Sequence, residues 1–511
     1  MCSTRSITSA SVHPTPTIST VSRAAFSSRC GPTTDMARSL VPVIARQQWR
    51  MLVRDRRLAV LGLALVLILC TAALTGAAVH DAREAERRAA QAAEAQVWEM
   101  QGPANPHGAA HFGRYLFKPL SPLAVVDPGL LPQLGTSLKL EAHSNNPARN
   151  RAIDGGTTLD RFGGLSQATM LQVLAPLLII LSGFAAFSGE RARSLLRQEL
   201  AAGAAPSALM AGRLAGLGIT VLVVVVLATL AGAASLWLAG GSPEQLVPLF
   251  WMMLGYALYL FAFAALTLAA SAAFASARTS LVVLIAFWAM ATLFVPRLAP
   301  SIAEAAAPTL SGPAFEAAVT KEVMEGPSGH DPRDARLERL RQDTMRRYGV
   351  SKLEDLPIDF NGVAFFHGEA LSTAIYRRHF AALYDGYDRQ AAIQRGLALV
   401  SPVQAIRPWS AALAQSDQHA HRRFLEQADA FRYDVVQRLN HAIIHRPKEG
   451  DRPYLADVVA ITRDAKFTAA PTPVRVALSR HWIDLAILIG WAAIAVLFAF
   501  AAARRLGRSS A

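Results

Sequence analysis

Four histidines and one run of charges are the residues of this chain whose types and spacing suit chemistry. His419 and His421 offer two imidazoles two residues apart, and His441 and His445 stand four apart. Imidazole pairs at such spacings are the raw material of transition-metal sites. Residues two apart on a helix do not face each other, however, and no cysteine or carboxylate completes either pair. The histidines therefore read as structural or solvated groups, and no metal site is expected. The charged run is Glu190-Arg191-Ala192-Arg193-Ser194-Leu195-Leu196-Arg197-Gln198-Glu199-Leu200, closing at Pro206. It is helix-forming, and its charges suit docking of a soluble partner. The plainer alternative is a solvated connector whose arginines only fix topology.

Motifs for covalent or hydrolytic chemistry are missing. The chain has no Gly-x-x-x-x-Gly-Lys-Ser/Thr loop for nucleotide phosphates, no His-Glu-x-x-His zinc motif and no Gly-x-Ser-x-Gly elbow. Cysteine is confined to Cys2, Cys30 and Cys70, so neither a disulfide framework nor a thiolate metal site is expected in the polar stretches. No catalytic residue and no cofactor is expected.

The elements that must position the charged run are membrane helices. Of 511 residues, 52% are hydrophobic and 17% charged, too apolar for an ordinary soluble chain, and the apolar residues gather in long blocks. Leu58–Val79 is free of charge over about 22 residues, roughly 33 Å of helix, enough to span a bilayer. Further blocks lie at about Ala168–Phe187, Leu214–Ala239, Leu246–Ala275, Thr279–Val295 and Ile483–Ala503, the fifth stopping at Val295-Pro296. Six spans result. Almost no ionisable residue lies within them apart from Asp484 near one end, which disfavours an ion-coupled carrier, because such carriers keep intramembrane charges as relays.

Arginine placement orients the spans. Arg46, Arg50, Arg54, Arg56 and Arg57 precede the first; Arg191, Arg193, Arg197 and Arg213 join the second to the third; Arg278 separates the fourth from the fifth; Arg504, Arg505 and Arg508 follow the sixth. The positive-inside rule puts all of these, and both termini, on the cytoplasmic side of an inner membrane. The net charge of +14 is thus assigned to lipid and orientation; with no reader motif beside it, nucleic acid is not an expected partner.

Domain limits follow. Residues 1–35, rich in Ser, Thr and Pro, read as a disordered tail or as residues upstream of a true start at Met36, with an organellar transit peptide as the third reading. Residues 36–79 are a cytoplasmic lead and the first span, 80–167 a first extracytoplasmic insertion, and 168–296 spans two to five with a cytoplasmic segment at 188–213. Residues 297–481 form a second extracytoplasmic insertion, and 482–511 the last span and tail. The first insertion opens with Asp81 to Arg88, a charged continuation of span one with Glu84 and Arg88 at i, i+4, and turns irregular after Gly102-Pro103 and Asn105-Pro106. The second is mainly helical: Phe424, Ala428, Phe431, Val435, Leu439 and Ile443 form an apolar stripe, with Arg422, Arg423, Glu426, Arg432 and Arg438 on the other faces. Leu371–Tyr387 is the expected packing partner. Gly216, Gly218, Gly232 and Ala233 suit close helix packing, within one subunit or across a dimer.

The run from Glu190 to Pro206 resembles a known pattern. Type 2 ATP-binding-cassette (ABC-2) permeases carry a Glu-Arg-rich segment after the second span, then leucines, a Ser/Pro turn and Gly-Lys opening the third. Glu190, Arg191, Arg193, Leu196, Leu200, Pro206 and Gly212-Arg213 stand in the matching places, with Ser194-Leu195 where Gly-Thr is usual and Arg213 where Lys is usual. The large insertions after spans one and five resemble the subgroup with an uncharacterised extracytoplasmic domain, which is similar to the permease of nitrous-oxide-reductase maturation. Ser401-Pro402, Arg407, Ser410, Ala414, Asp417, His419, His421, Phe424 and Asn440 look like its signature.

The resemblance implies a permease subunit, an exporter, dimeric with itself or a sister permease. It further implies a separate cytoplasmic ATPase that engages Glu190, Arg191, Arg193 and Arg197. The expected fold is an all-α membrane protein of six transmembrane helices with two extracytoplasmic insertions, the larger mainly α-helical. A membrane-anchored extracytoplasmic binding or scaffold protein is the competing expectation.

Overall fold

The computed structural model describes residues 34–151, 154, 165–324, 335–447 and 454–509; the tail at 1–33 lies outside them. Helix α1 (Thr34–Arg54) is followed at once by α2 (Arg56–Glu99), whose start is capped by the Asp55 carboxylate accepting from the Arg57 N–H at 2.9 Å. No proline interrupts α2, so the apolar block and the charged stretch beyond it form one rod. The expected Glu84–Arg88 pair takes a different form. Arg87, at i+3, donates to Glu84, while Arg88 reaches the Glu84 carbonyl at 3.2 Å.

Among the described residues, five helices are long and apolar enough to cross a membrane: α2, α6 (Pro206–Leu238), α7 (Leu246–Ala273, extended by a turn from Pro243), α8 (Ala277–Ala306) and α15 (Val474–Ser509). The second expected span is shorter. Helix α4 (Gln167–Gly183) has 17 residues, about 26 Å of rise. Helix α7 sits in the middle of the bundle, where Tyr256, Tyr259, Leu260 and Phe263 are fully enclosed. Outward faces of the other helices carry Leu63, Leu67, Leu222, Leu230, Leu497 and Phe498 exposed, as a lipid-facing surface requires.

Helix α8 does not stop at Pro296 as expected. It widens into a π turn at Met290–Phe294 and continues to Ala306. The same device recurs in α4, with a π turn at Met170–Leu174 ahead of Pro176. A proline cannot donate to the carbonyl four residues back, and a π turn absorbs the misfit. The freed carbonyls find side chains: Tyr259 donates to Gln172 at 2.7 Å, Trp288 to Val173 at 2.9 Å, and Ser401 to Ala291 at 2.6 Å.

Two glycines of α6 lie against α1. A Cβ on Gly212 would stand 2.5 Å from Ile44 Cβ, and one on Gly216 would stand 2.7 Å from Gln48 Cβ. Both positions receive α1 within the same chain.

The two insertions build one domain rather than two. From the first come β1 (Pro103–Ala104), α3 (Pro106–Phe112), β2 (Arg114–Phe117), β3 (Gly135–Glu141), β4 (Ser144–Asn145) and β5 (Arg149–Arg151), so the stretch expected to be irregular holds a small antiparallel sheet around β3. From the second come α9 (Gly312–Met324), α10 (Ala335–Tyr348), α11 (Phe360–Gly396), α12 (Val403–Leu413), α13 (Gln418–Ile444), β6 (Ala456–Asp457) and α14 (Val458–Thr462). Strands β1 and β6 pair, and the Trp98 indole donates to Thr462 at 3.2 Å.

The stripe on α13 packs mainly on first-insertion residues: Leu116, Leu138 and Leu140 against Phe424 and Ala428, and Trp98, Ala109 and Ala110 against Val435, Val436 and Leu439. Helix α11, the expected partner, lies along its polar flank. Arg432, expected on an outer face, is 2% exposed there.

Candidate functional site

The charged run forms helix α5 (Glu190–Ala201), entered through Gly189 at φ 87°. Only glycine adopts that conformation without strain, and the Gly189 N–H donates to Ala275 at 3.1 Å, tying the entry to the α7–α8 turn. Leu196 is buried and Leu200 packs on the bundle, which fixes the inner face. The outer face follows from helical spacing: Glu190, Arg191, Ser194, Arg197 and Gln198 are exposed, whereas Arg193 is half-buried at its edge. Of the four residues expected to engage a partner, three stand free on one surface and the fourth flanks them.

Arg213 holds this helix down. Its guanidinium donates to Glu199 at 2.7 Å and to the Ala186 carbonyl at 2.6 Å, and lies 4.1 Å over the Phe187 ring. It is 3% exposed. One arginine on α6 thus clasps both the lead into α5 and its inner face. In the sequence Arg213 counts only as a topology marker and as a variant of a Gly-Lys pair; nothing local to it shows that Glu199 is its partner.

A second polar cluster lies where α12 enters the bundle. The expected boundary at 297 leaves this segment outside, yet Val403, Ile406, Trp409 and Leu413 share the core of α4, α6, α7 and α15. Gln172 on the π turn of α4 donates to the Tyr256 hydroxyl at 2.9 Å and accepts from Arg407 at 3.1 Å. The Tyr256 hydroxyl donates to Ser410 at 3.1 Å, and Trp409 donates to the Trp251 carbonyl at 2.9 Å. Beside it, Asp484 of α15 is fully buried, bound by Arg395 at 2.9 Å and His481 at 2.7 Å. Most of the signature stretch from Ser401 to Asn440 is thereby accounted for. Ser401, Arg407 and Ser410 seat the domain on the bundle, Asp417 caps α13 through the Ala420 N–H at 3.1 Å, and Phe424 and Asn440 are buried along α13.

In the domain, His421 is buried and His441 and His445 are exposed. Burial, with the Lys118 amine 3.4 Å away, holds His421 down to about 3, so the ring is neutral; burial also lowers Lys118 to about 8, against the pull of Asp417. The rings of His441 and His445 lie tilted against each other, with centroids 4.6 Å apart. Among the described residues, the His, Cys, Asp and Glu grouping suited to a metal ion is a different one: His107 and His111 of α3 with His143 of the β3–β4 turn. The i, i+4 spacing of the first two is a readable signal; the third is joined to them only by the fold. A cleft of about 780 Å³ opens between the insertions, lined by Tyr384, Tyr387, Arg377, Arg422 and Asn146 among others.

Residues 314–458 match the model of a family described as a domain of unknown function, DUF3526. The matched stretch runs from α9 to the start of α14 and includes α12, the helix embedded in the bundle. No curated protein matches the chain.

Proposed function

We propose that this chain is the membrane-spanning permease subunit of an ATP-binding-cassette transporter, an exporter driven by a separate ATPase. In this reading it crosses an inner membrane six times, α4 being the short second span, with both termini in the cytoplasm. The two insertions form a single extracytoplasmic domain, and the permease works as a dimer with itself or a sister subunit.

One observation carries the reading. Helix α5 presents Glu190, Arg191 and Arg197 outward while its inner face is clasped by Arg213 and its entry is tied to the α7–α8 turn. A helix held at several points yet charged on its free face suits the receipt of a push from a soluble partner. The resemblance of Glu190–Pro206 to the ABC-2 pattern supports the same assignment. Binding and hydrolysis of ATP belong to the partner, in keeping with the missing phosphate loop.

The test is a triple charge reversal, Glu190→Arg, Arg191→Glu and Arg197→Glu. Co-purification with an ATPase subunit in mild detergent with nucleotide, and transport-coupled ATP hydrolysis, should fall at least ten-fold, while insertion and thermal midpoint hold. If both survive the reversal, the spans serve as an anchor for the outer domain and the permease reading fails.

A further inference from the structure

His107 and His111 lie one turn apart on α3, and their Nε2 atoms are 3.2 Å from each other. His143, on the turn that joins β3 to β4, brings a third ring; one nitrogen from each of the three lies within 4.8 Å of the other two. A zinc ion with Zn–N bonds near 2.05 Å and tetrahedral angles sets its nitrogens about 3.3 Å apart. The α3 pair already has that separation. The third nitrogen must close by at most about 1.5 Å (4.8 less 3.3), within reach of a side-chain rotation.

What surrounds the rings is built rather than incidental. His143 has φ 60°, a left-handed conformation uncommon for a residue with a side chain. The conformation is fixed by Glu369 of α11, whose Oε2 accepts from the His143 backbone N–H at 2.8 Å and lies 3.2 Å from its Nδ1. Glu369 is fully buried, and its other oxygen is held by Thr373 at 3.0 Å and by Arg432. A carboxylate beside a ring nitrogen orients the ring, the usual support of a ligating histidine. His107 stacks flat on Phe365, one turn before Glu369 on α11, at 3.7 Å between centroids. His111 is exposed, so the group opens to solvent on one side.

We infer that His107, His111 and His143 form a binding site for a borderline divalent ion of the late first-row series, zinc being the type case, with Glu369 as the orienting carboxylate. Three imidazoles and no oxygen or sulfur ligand select this class. Magnesium and calcium require oxygen donors, and copper(I) favours thiolate or thioether. The fourth position faces water on the His111 side. All three ligands come from the first insertion, where the ion bridges α3 and the β3–β4 turn, while Phe365 and Glu369 of α11, from the second, back them. The inference does not depend on the permease reading.

The experiment uses the full chain purified in detergent, stripped with chelator, and titrated with Co²⁺ as a spectroscopic probe and with Zn²⁺ by calorimetry. One equivalent should bind, with visible absorption of low-symmetry four-coordinate Co²⁺ and a raised thermal midpoint. His111→Ala, at an exposed position, should keep the metal-free midpoint and weaken binding at least about 100-fold. Glu369→Gln should weaken it by about 10- to 100-fold, the usual cost of losing an orienting partner. Double substitution of His441 and His445 by Ala should change nothing. Should His111→Ala lose its fold, His107→Phe, which keeps the stack on Phe365, replaces it. No saturable one-to-one binding, or binding that survives loss of either α3 histidine, overturns the site, as does binding lost with His441 and His445.

Discussion

Two buried arginines at different places in the molecule do opposite jobs. Arg432, in the outer domain, is bound by Asp429 at 3.1 Å, by Glu369, by the Thr373 hydroxyl at 2.7 Å and by the Glu141 carbonyl at 3.2 Å. Its partners come from β3, α11 and α13, so three segments distant in sequence are fixed relative to one another. Arg213, beneath α5, has one carboxylate, one carbonyl and one aromatic face. The first is over-determined: either neutral partner can leave while its charge stays paired with Asp429 and Glu369. The second is a clasp in which breaking the Glu199 contact removes one hold on α5, with the Leu196 and Gly189 contacts still in place. Buried charge thus secures a domain in one place and provides a releasable hold in the other.

Substitutions can break that contrast. Arg432→Met should have the largest effect, destabilising the outer domain by about 3–5 kcal/mol, because the fully buried Glu369 loses its arginine partner, while Asp429 keeps Arg377 at 2.7 Å. Thermal unfolding and protease sensitivity of the domain would report it, and an unchanged midpoint would mean that the network is dispensable. Arg213→Met should cost less, about 1–3 kcal/mol, since Glu199 is only partly buried and can turn to water. Its signature is faster hydrogen exchange confined to residues 190–201, with the outer domain as protected as before. Equal loosening of both regions would remove the distinction.

The third expected effect concerns His421, where pH rather than contact number is the variable. Its folded pKa is about 3, depressed from 6.5 by burial and by Lys118. The unfolded chain therefore takes up the proton first, and the histidine's contribution to stability is complete above about 6.5 and is lost as pH falls toward 3. His421→Leu should accordingly gain on the wild type as pH drops from 6.5 to 4, and a midpoint difference flat across that range would contradict the assignment.

The sequence was informative wherever the determinant is local. Five of the apolar blocks are long helices, and the charged continuation of span one past His80 appears as written, because run length and the i, i+3/i+4 pattern are carried by neighbouring residues. The stripe from Phe424 to Ile443 was equally plain, and so was α11 as a neighbour of its helix, but the apolar partners of the stripe were not: β2, β3 and α3 come from some 300 residues earlier, and no periodicity announces a pairing over that distance. Arg432 looked like a surface charge for the same reason, since only the arrival of Glu369 makes its burial tolerable. Near the proposed coupling surface, Glu190, Arg191 and Arg197 were legible as an exposed face, whereas the Arg213–Glu199 clasp required the turn at Gly203 to fold α5 back on α6. Proline misled at Val295-Pro296, where a π turn supplies what a simple stop rule omits.

The unbroken course of α2 has a mechanical consequence. From Arg56 to Glu99 its 44 residues measure about 66 Å, with α1 and the bundle at one end and Trp98, anchored to Thr462, at the other. A stiff arm of that length magnifies angle into distance: a tilt of about 5° at its foot carries its tip about 6 Å. Because that tip is fastened to both insertions, a small rocking at the base is delivered to the outer domain as a displacement the size of a side chain, with no separate linkage needed.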